Sequence, residues 1–248
     1  MRAQRKFHIQ KMIESKQFRY QGQHILYDAA RLTKFNPLLF EPEYLQQQGL
    51  VTGRASGRGD VLFFGYEGHD LALRHYRRGG SVASLLGDRY LRTPVKTSRA
   101  WREWTLLHRL GDMGLPVPQP VAARVRQNGI WVRCDIVTLK IPGARSLAMS
   151  IREKPLQQEI WREIGGTIRR FHEAGVWHAD LNAHNILLTD TQVYLIDFDR
   201  GRMGRTSRAQ KHQNVQRLLR SLQKLQREQA LNCFTRADWQ ALLSAYSR

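Results

Sequence analysis

The stretch VWHADLNAHNILL, followed shortly by VYLIDFDRG, constrains this chain more than any other feature in it. A helix-period segment, QQEIWREIGGTIRRFHEAG, leads into it, with Ile160, Ile164, Ile168 and Phe171 on one face. Two short apolar runs follow, 185–188 and 193–196, with Thr189–Gln192 as a tight turn between them. This hairpin returns Asp197 beside Asn185, next to the loop that carries Asp180. Transfer of a phosphoryl group asks for positioning, a divalent metal and positive charge rather than covalent help. An Asp at 180 can accept the proton of an attacking hydroxyl. Asn185 and Asp197 offer the hard oxygen ligands that Mg²⁺ prefers. Any one of these residues alone reads as a loop cap; all of them in register between a helix and a hairpin read as a metal–nucleotide site.

The remainder of the chain supplies a frame. Residues 1–48 are expected to form an extension packed on or near the first lobe, with the Pro-punctuated patch FNPLLFEPEYL against the main body. Residues 51–78 read as three antiparallel strands joined by short turns. SRAWREWTLLHRLGDMG reads as a helix with Ser98 as N-cap and Trp104, Leu107 and Leu110 on its apolar face. LPVPQPVAARV and GIWVRCDIVTLKI add two strands. Further on, Val215, Leu218, Leu219, Leu222 and Leu225 form one helical stripe, with Arg217, Arg220, Lys224 and Arg227 placed opposite. The expected fold is α+β and two-lobed: a first lobe, 49–138, with an antiparallel sheet and one helix, and a reduced, mainly helical second lobe, 139–248.

HADLNAHN with DFD resembles the protein-kinase pattern H-R-D-L-x-x-x-N followed by D-F-G. The resemblance implies a protein-kinase-like fold, with Asp180 catalytic and Asn185 and Asp197 holding Mg²⁺. Upstream, GRASGRGDVLF is the candidate phosphate loop, through Gly53, Gly57 and Gly59, although its spacing is not G-x-G-x-x-G. Arg74, in LALRH, stands where such kinases carry a Lys and can meet ATP phosphates as a planar fork. Glu103, inside the following helix, is its expected partner. The hinge is expected around Val137–Ile141. Three histidines, His172, His178 and His184, have a spacing that suits no zinc motif.

Asp199 replaces the Gly of D-F-G, and no A-P-E segment follows. A protein acceptor is therefore disfavoured. LRHYRRGG, SRAWREWTLL, IPGARSL, VWHADLNAHNILL and LIDFDRGR together resemble the lipopolysaccharide kinase family of Gram-negative bacteria, in its branch acting on 3-deoxy-D-manno-octulosonic acid (Kdo), from about residue 25 onward. That resemblance implies ATP-dependent phosphorylation of the 4-hydroxyl of Kdo on a lipid A precursor, by a peripheral protein at the cytoplasmic face of the inner membrane.

The net charge of +19 calls for a polyanionic partner. Between Arg200 and Arg227 there are nine Lys or Arg and no Asp or Glu, which favours an anionic acceptor or membrane surface. Arg200 and Arg202 beside the DFD turn, and Arg77 and Arg78 in LRHYRRGG, are candidate anion-binding residues. Residues 200–227 contain no Phe, Tyr or Trp to stack bases, so no nucleic acid is expected. The rivals are a heptose kinase of the same family, a polyanion-binding protein, and a pseudokinase scaffold suggested by Arg74. The basic start, MRAQRKFHIQKMIESK, has no apolar run after it, so no secretory signal is expected, and two distant cysteines make no disulfide framework.

Overall fold

Strand-forming segments dominate the first 140 positions, interrupted by the helical stretch after Ser98, and helical periodicity dominates thereafter. The structure, a computed structural model, describes residues 14–55, 61–76, 90–91, 93–229 and 234–247. By its contacts the chain divides into one unit of residues 1–92 and 121–137 and a second of 93–120 and 138–248. The last crossing falls in the segment expected as the hinge. The helix after Ser98, expected in the first lobe, groups with the second unit.

The first unit is a sheet. Its strands are β1 (Ser15–Tyr20), β2 (Gln23–Asp28), β3 (Val51–Ala55), β4 (Val61–Tyr66), β5 (His69–His75), β6 (Tyr90–Leu91), β7 (Pro120–Asn128) and β8 (Trp131–Leu139). Their spatial order is β1-β2-β7-β8-β5-β4-β3, with β6 paired to β8. The tight β4–β5 turn works because Glu67 and Gly68 take φ of 46° and 74°, the mirror-image geometry a two-residue hairpin needs. β1 and β2 were not legible as strands in the mixed composition of residues 1–48. They add to the sheet beside β7 through a continuous antiparallel register, Tyr27↔Ala122 to Gln23↔Arg126. The short helix α1 (Pro42–Gln47) follows, and Leu39, Phe40 and Leu45 are fully buried. The FNPLLF patch is thus spent on packing.

A buried ion network crosses this sheet. The Arg124 guanidinium, 2% exposed, donates to Asp135 at 2.7 Å, to Glu41 and to the Phe40 carbonyl at 3.1 Å, and lies over the Phe40 ring. His75 bonds the other oxygen of Asp135. Burial alone would raise the Asp135 carboxyl, but His75 and Arg124 together hold it below the usual carboxylate range.

The second unit holds α2 (Arg99–Asp112), α3 (Leu147–Glu153), α4 (Gln158–Glu173), α5 (Arg208–Gln229) and α6 (Arg236–Tyr246). Short strands β9 (Arg145–Ser146), β10 (Val176–Trp177), β11 (Ile186–Leu188), β12 (Val193–Leu195) and β13 (Arg202–Met203) sit among them. Trp161, Ile164, Ile168 and Phe171 form the buried stripe of α4, while Ile160, expected on that face, is half-exposed at its edge. α4 packs on α6 so closely that a Cβ on Gly165 would lie 2.1 Å from the Leu242 carbonyl oxygen. α6 opens with a capping box, Thr235 and Asp238 each bonding the other's backbone N–H. On α2, Ser98 occupies the N-cap position, but its hydroxyl donates to the Val95 carbonyl instead of capping the helix. Among the described residues no helix is long and apolar enough to cross a membrane.

Candidate active site

The loop 178–185 follows α4 and β10, and its shape comes from polar side chains turned onto the backbone. Gly175, at φ 73°, turns the chain from α4 into β10. A Cβ there would sit 2.4 Å from the Gly204 carbonyl oxygen, so glycine is required where β10 pairs with β13. Asn182 Oδ1 accepts from the backbone N–H groups of His184 and Asn185, an Asx turn that tightens the loop. The amides of Asn182 and Asn185 both donate to the Asp180 carbonyl, at 3.0 and 2.9 Å.

His178 is the pivot of the loop. Its Nδ1 accepts from the Asp180 backbone N–H at 3.1 Å, so the proton resides on Nε2, which donates to the Ile196 carbonyl at 2.9 Å. One neutral imidazole thereby joins the catalytic-loop candidate to the end of β12. Burial pushes this histidine below its ordinary range, against the opposing pull of the Ile196 carbonyl and of Asp197 and Asp180. The Phe198 ring packs edge-on against it at 4.8 Å and stacks on Phe171.

Behind His178 stands Asn214 of α5. Its Oδ1 accepts from the His178 backbone N–H at 3.2 Å, and its Nδ2 donates to the His178 carbonyl at 2.9 Å. The same Oδ1 accepts from His172 Nε2 at 3.3 Å, and Tyr246 O–H donates to His172 Nδ1 at 2.8 Å. Burial also lowers the His172 pKa, consistent with a neutral ring. Two helical turns further along α5, Ser221 Oγ accepts from the Ala183 N–H at 3.2 Å. Between them Arg217 Nη1 donates to Asp180 Oδ1 at 2.7 Å. Asn214, Arg217 and Ser221, spaced three and four apart, therefore fasten α5 to the loop at three points. The sequence places Arg217 on a basic face away from the apolar stripe. In the fold it lies at the flank of that stripe, because Asn214 and Ser221 turn the adjoining face onto the loop.

The hairpin behaves as its sequence predicts. Ile186 pairs with Leu195, and the Ile196 N–H donates to the Asn185 carbonyl at 3.0 Å, which sets Asp197 next to Asn185. Asp197 has φ 62°, a left-handed conformation that a non-glycine residue holds only when its surroundings impose it. Asn185 is buried, and its Nδ2 is committed to the Asp180 carbonyl, so the amide oxygen is the pole left for a ligand. One amide oxygen and one carboxylate are hard donors that suit Mg²⁺ completed by water and phosphate oxygens. Asp199 has a definite partner: it takes the Arg99 guanidinium of α2 in a two-pronged pair, Nε to Oδ1 at 2.7 Å. Arg200, with φ 60°, is exposed, and Arg202 lies over the Trp177 ring at 6.0 Å.

On the first unit, Arg74 lies in β5 opposite Val61, its guanidinium over the Tyr76 ring at 4.9 Å. Gly53 sits at a register shift between β3 and β4, where a Cβ would meet only ordinary contact with Phe63. Glu103 is buried on α2, in the second unit. Gly57, Gly59, Arg77 and Arg78 lie outside the described residues.

A loop that presents an Asp, an Asn five residues on and an Asp returned by a short hairpin belongs to phosphotransferases of protein-kinase-like fold. Solved structures agree on the fold: the chain matches one described as WaaP in complex with acyl carrier protein, with TM-score 0.53 at 18% identity, covering 84% of each chain. The model of the lipopolysaccharide kinase (Kdo/WaaP) family matches residues 42–246, and the chain belongs to that family. Its relatives include the 3-deoxy-D-manno-octulosonic acid kinase of Vibrio cholerae serotype O1, 42% identical over 179 residues, 72% of this chain and 76% of that protein. The enzyme of the same name from Haemophilus influenzae (strain 86-028NP) is 40% identical over 193 residues, 74% of this chain and 80% of that one.

Proposed function

We propose that this protein transfers the γ-phosphoryl group of ATP to the 4-hydroxyl of Kdo on a lipid A precursor, in the building of the lipopolysaccharide core. The observation that carries the proposal is the joint fixing of Asp180, Asn185 and Asp197 in a chain about 40% identical to enzymes named for that sugar. Asp180 orients the acceptor hydroxyl and receives its proton as the sugar oxygen bonds to the γ-phosphorus. The bond from that phosphorus to the bridging oxygen breaks, and ADP leaves. Asn185 and Asp197 are the residues that would hold Mg²⁺, which would supply positive charge to neutralise the phosphates. Arg74, and the glycines 53, 57 and 59, serve the nucleotide on the first unit.

The acceptor is anionic, and so is the leaflet that carries it. The exposed cations Arg200, Arg202, Arg205, Arg208, Arg220 and Arg227 are assigned to that surface, each contributing about 1 kcal/mol near an anionic leaflet. These cations support the reading of a peripheral protein that works at the cytoplasmic face of the inner membrane. The test is incubation with Mg-ATP and three acceptors: Kdo-bearing lipid A precursor, the same precursor without Kdo, and a heptose-bearing core. Mass spectrometry should find one added phosphoryl group on the first alone, and none with Asp180→Ala. Phosphorylation of the heptose-bearing core alone would assign the sister activity instead. No product on any acceptor, from folded protein that binds ATP, would overturn the enzyme proposal.

A further inference from the structure

Arg217 has an arrangement that holding Asp180 alone does not require. It rises from α5 between Asn214 and Ser221, whose bonds to His178 and Ala183 fix the helix on both sides of it. Its guanidinium is therefore placed by the helix as well as by its own ion pair. One nitrogen, Nη1, meets Asp180 Oδ1. The remaining donors of the fork have no partner among the described residues, and the side chain is 49% exposed. A guanidinium carries five N–H donors in one plane, arranged to grip two oxygens of an anion. Here that grip is half used, and its open half lies within one guanidinium width of the carboxylate that meets the attacking hydroxyl. An anion bound there belongs to the same small molecule as that hydroxyl, or is the phosphoryl group in transfer.

We propose that Arg217 reads the carboxylate of the acceptor sugar, holding Asp180 with one nitrogen and the acid function with the others. The inference rests on the Kdo assignment above, since Kdo carries a carboxylate on the same sugar as the hydroxyl to be phosphorylated. A heptose has no such group. Arg217 is on this view a specificity residue: it couples recognition of an acidic sugar to the placement of the base, so a neutral sugar leaves the fork unfilled beside Asp180.

The experiment compares Kdo-bearing lipid A precursor with its derivative in which the Kdo carboxylate is converted to the neutral carboxamide. Wild-type enzyme should prefer the acid by about 10- to 100-fold in kcat/KM, the range of a charged hydrogen-bonded pair. Arg217→Met should bring the two acceptors to within about twofold, with the KM for ATP unchanged. Arg217→Lys should keep part of the preference, having the charge without the fork. Should Arg217→Met turn over neither acceptor, equilibrium binding of both, with a non-hydrolysable ATP analogue present, gives the same ratio, and melting confirms that the variant is folded. A preference that survives in Arg217→Met overturns the proposal. So does an equal loss on both acceptors with the ratio preserved, the outcome if Arg217 serves only Asp180 or the phosphoryl group. So does a wild-type enzyme indifferent to the acid. A wild-type enzyme that binds ATP but phosphorylates no Kdo acceptor refutes the Kdo assignment itself, a separable result.

Discussion

Replacing Asn214 with Ala tests whether the loop bearing Asp180 is held from behind. The side chain makes three hydrogen bonds: two to the backbone of His178, at 3.2 and 2.9 Å, and one from His172 at 3.3 Å. Asn214 is 2% exposed, so water has little access to replace them. At about 1 kcal/mol per bond, the substitution should cost about 3 kcal/mol. For a chain of this size that lowers the melting temperature by about 6–12 °C. The local effect is sharper. The His178 amide loses its acceptor, and its hydrogen exchange should accelerate on the order of 100-fold. Because Asp180 follows two residues later, kcat should fall about tenfold or more while the KM for ATP changes little. Tyr246→Phe is the control. It removes one bond at the far end of the chain Tyr246–His172–Asn214, should cost about 1 kcal/mol, and should leave kcat intact. Calorimetry, amide exchange and steady-state kinetics read the three effects. An Asn214→Ala protein that melts within about 2 °C of wild type, with His178 still protected, would refute the claim that this amide holds the loop.

Three further outcomes follow from the same structure. Gly165→Ala gains about 1 kcal/mol of helix propensity but forces a Cβ to 2.1 Å from the Leu242 carbonyl, and overpacking of that kind costs about 1–3 kcal/mol. A lower melting temperature is expected, and a higher one would show that α4 and α6 can separate without cost. His172 and His178 stay neutral in the fold, whereas unfolded histidine takes up a proton below about pH 6.5. Stability should therefore be flat above that pH and fall below it, by up to about 2.7 kcal/mol per pH unit for the two together, in denaturant melts across pH 5–8; an unchanged midpoint would contradict the neutral assignment. Arg99→Asp and Asp199→Arg should each slow phosphoryl transfer, and the double exchange should restore part of it, with a coupling of about 1–2 kcal/mol; strictly additive losses would show that the pair does not position the DFD turn.

The parts of this fold that were legible in the sequence are those where one local pattern decides the outcome. The hairpin from Asn185 to Ile196 is one: two apolar runs and a turn of Thr189–Gln192 admit a single closure, and Asp197 must then return beside Asn185. The helices around Trp104, Ile164 and Leu218 are others. What stayed hidden depends on partners distant in the chain. Asn214 and Ser221 look like ordinary polar positions in a basic helix, and nothing local marks them as facing a loop some 36 residues earlier. Arg217 was visible only as one charge among many for the same reason. Asp199 departs visibly from D-F-G in the sequence, but its partner Arg99 lies 100 residues away. Arg124 reads as an exposed strand charge until Asp135 and Glu41 are brought around it. The strands β1 and β2 carry a weak alternation, and their pairing to β7 is long-range. Asp180, Asn185 and Asp197 were recognisable because a short loop and a short hairpin confine them.

The most direct measurement is the site of phosphate on the product. Kdo-bearing lipid A precursor treated with the protein and Mg-ATP should give a ³¹P–¹H correlation from the new phosphate to H4 of Kdo, absent with Asp180→Ala or without ATP. A correlation to any other proton, or no new phosphorus signal from folded, ATP-binding protein, would contradict the assignment of a Kdo 4-hydroxyl acceptor to this site.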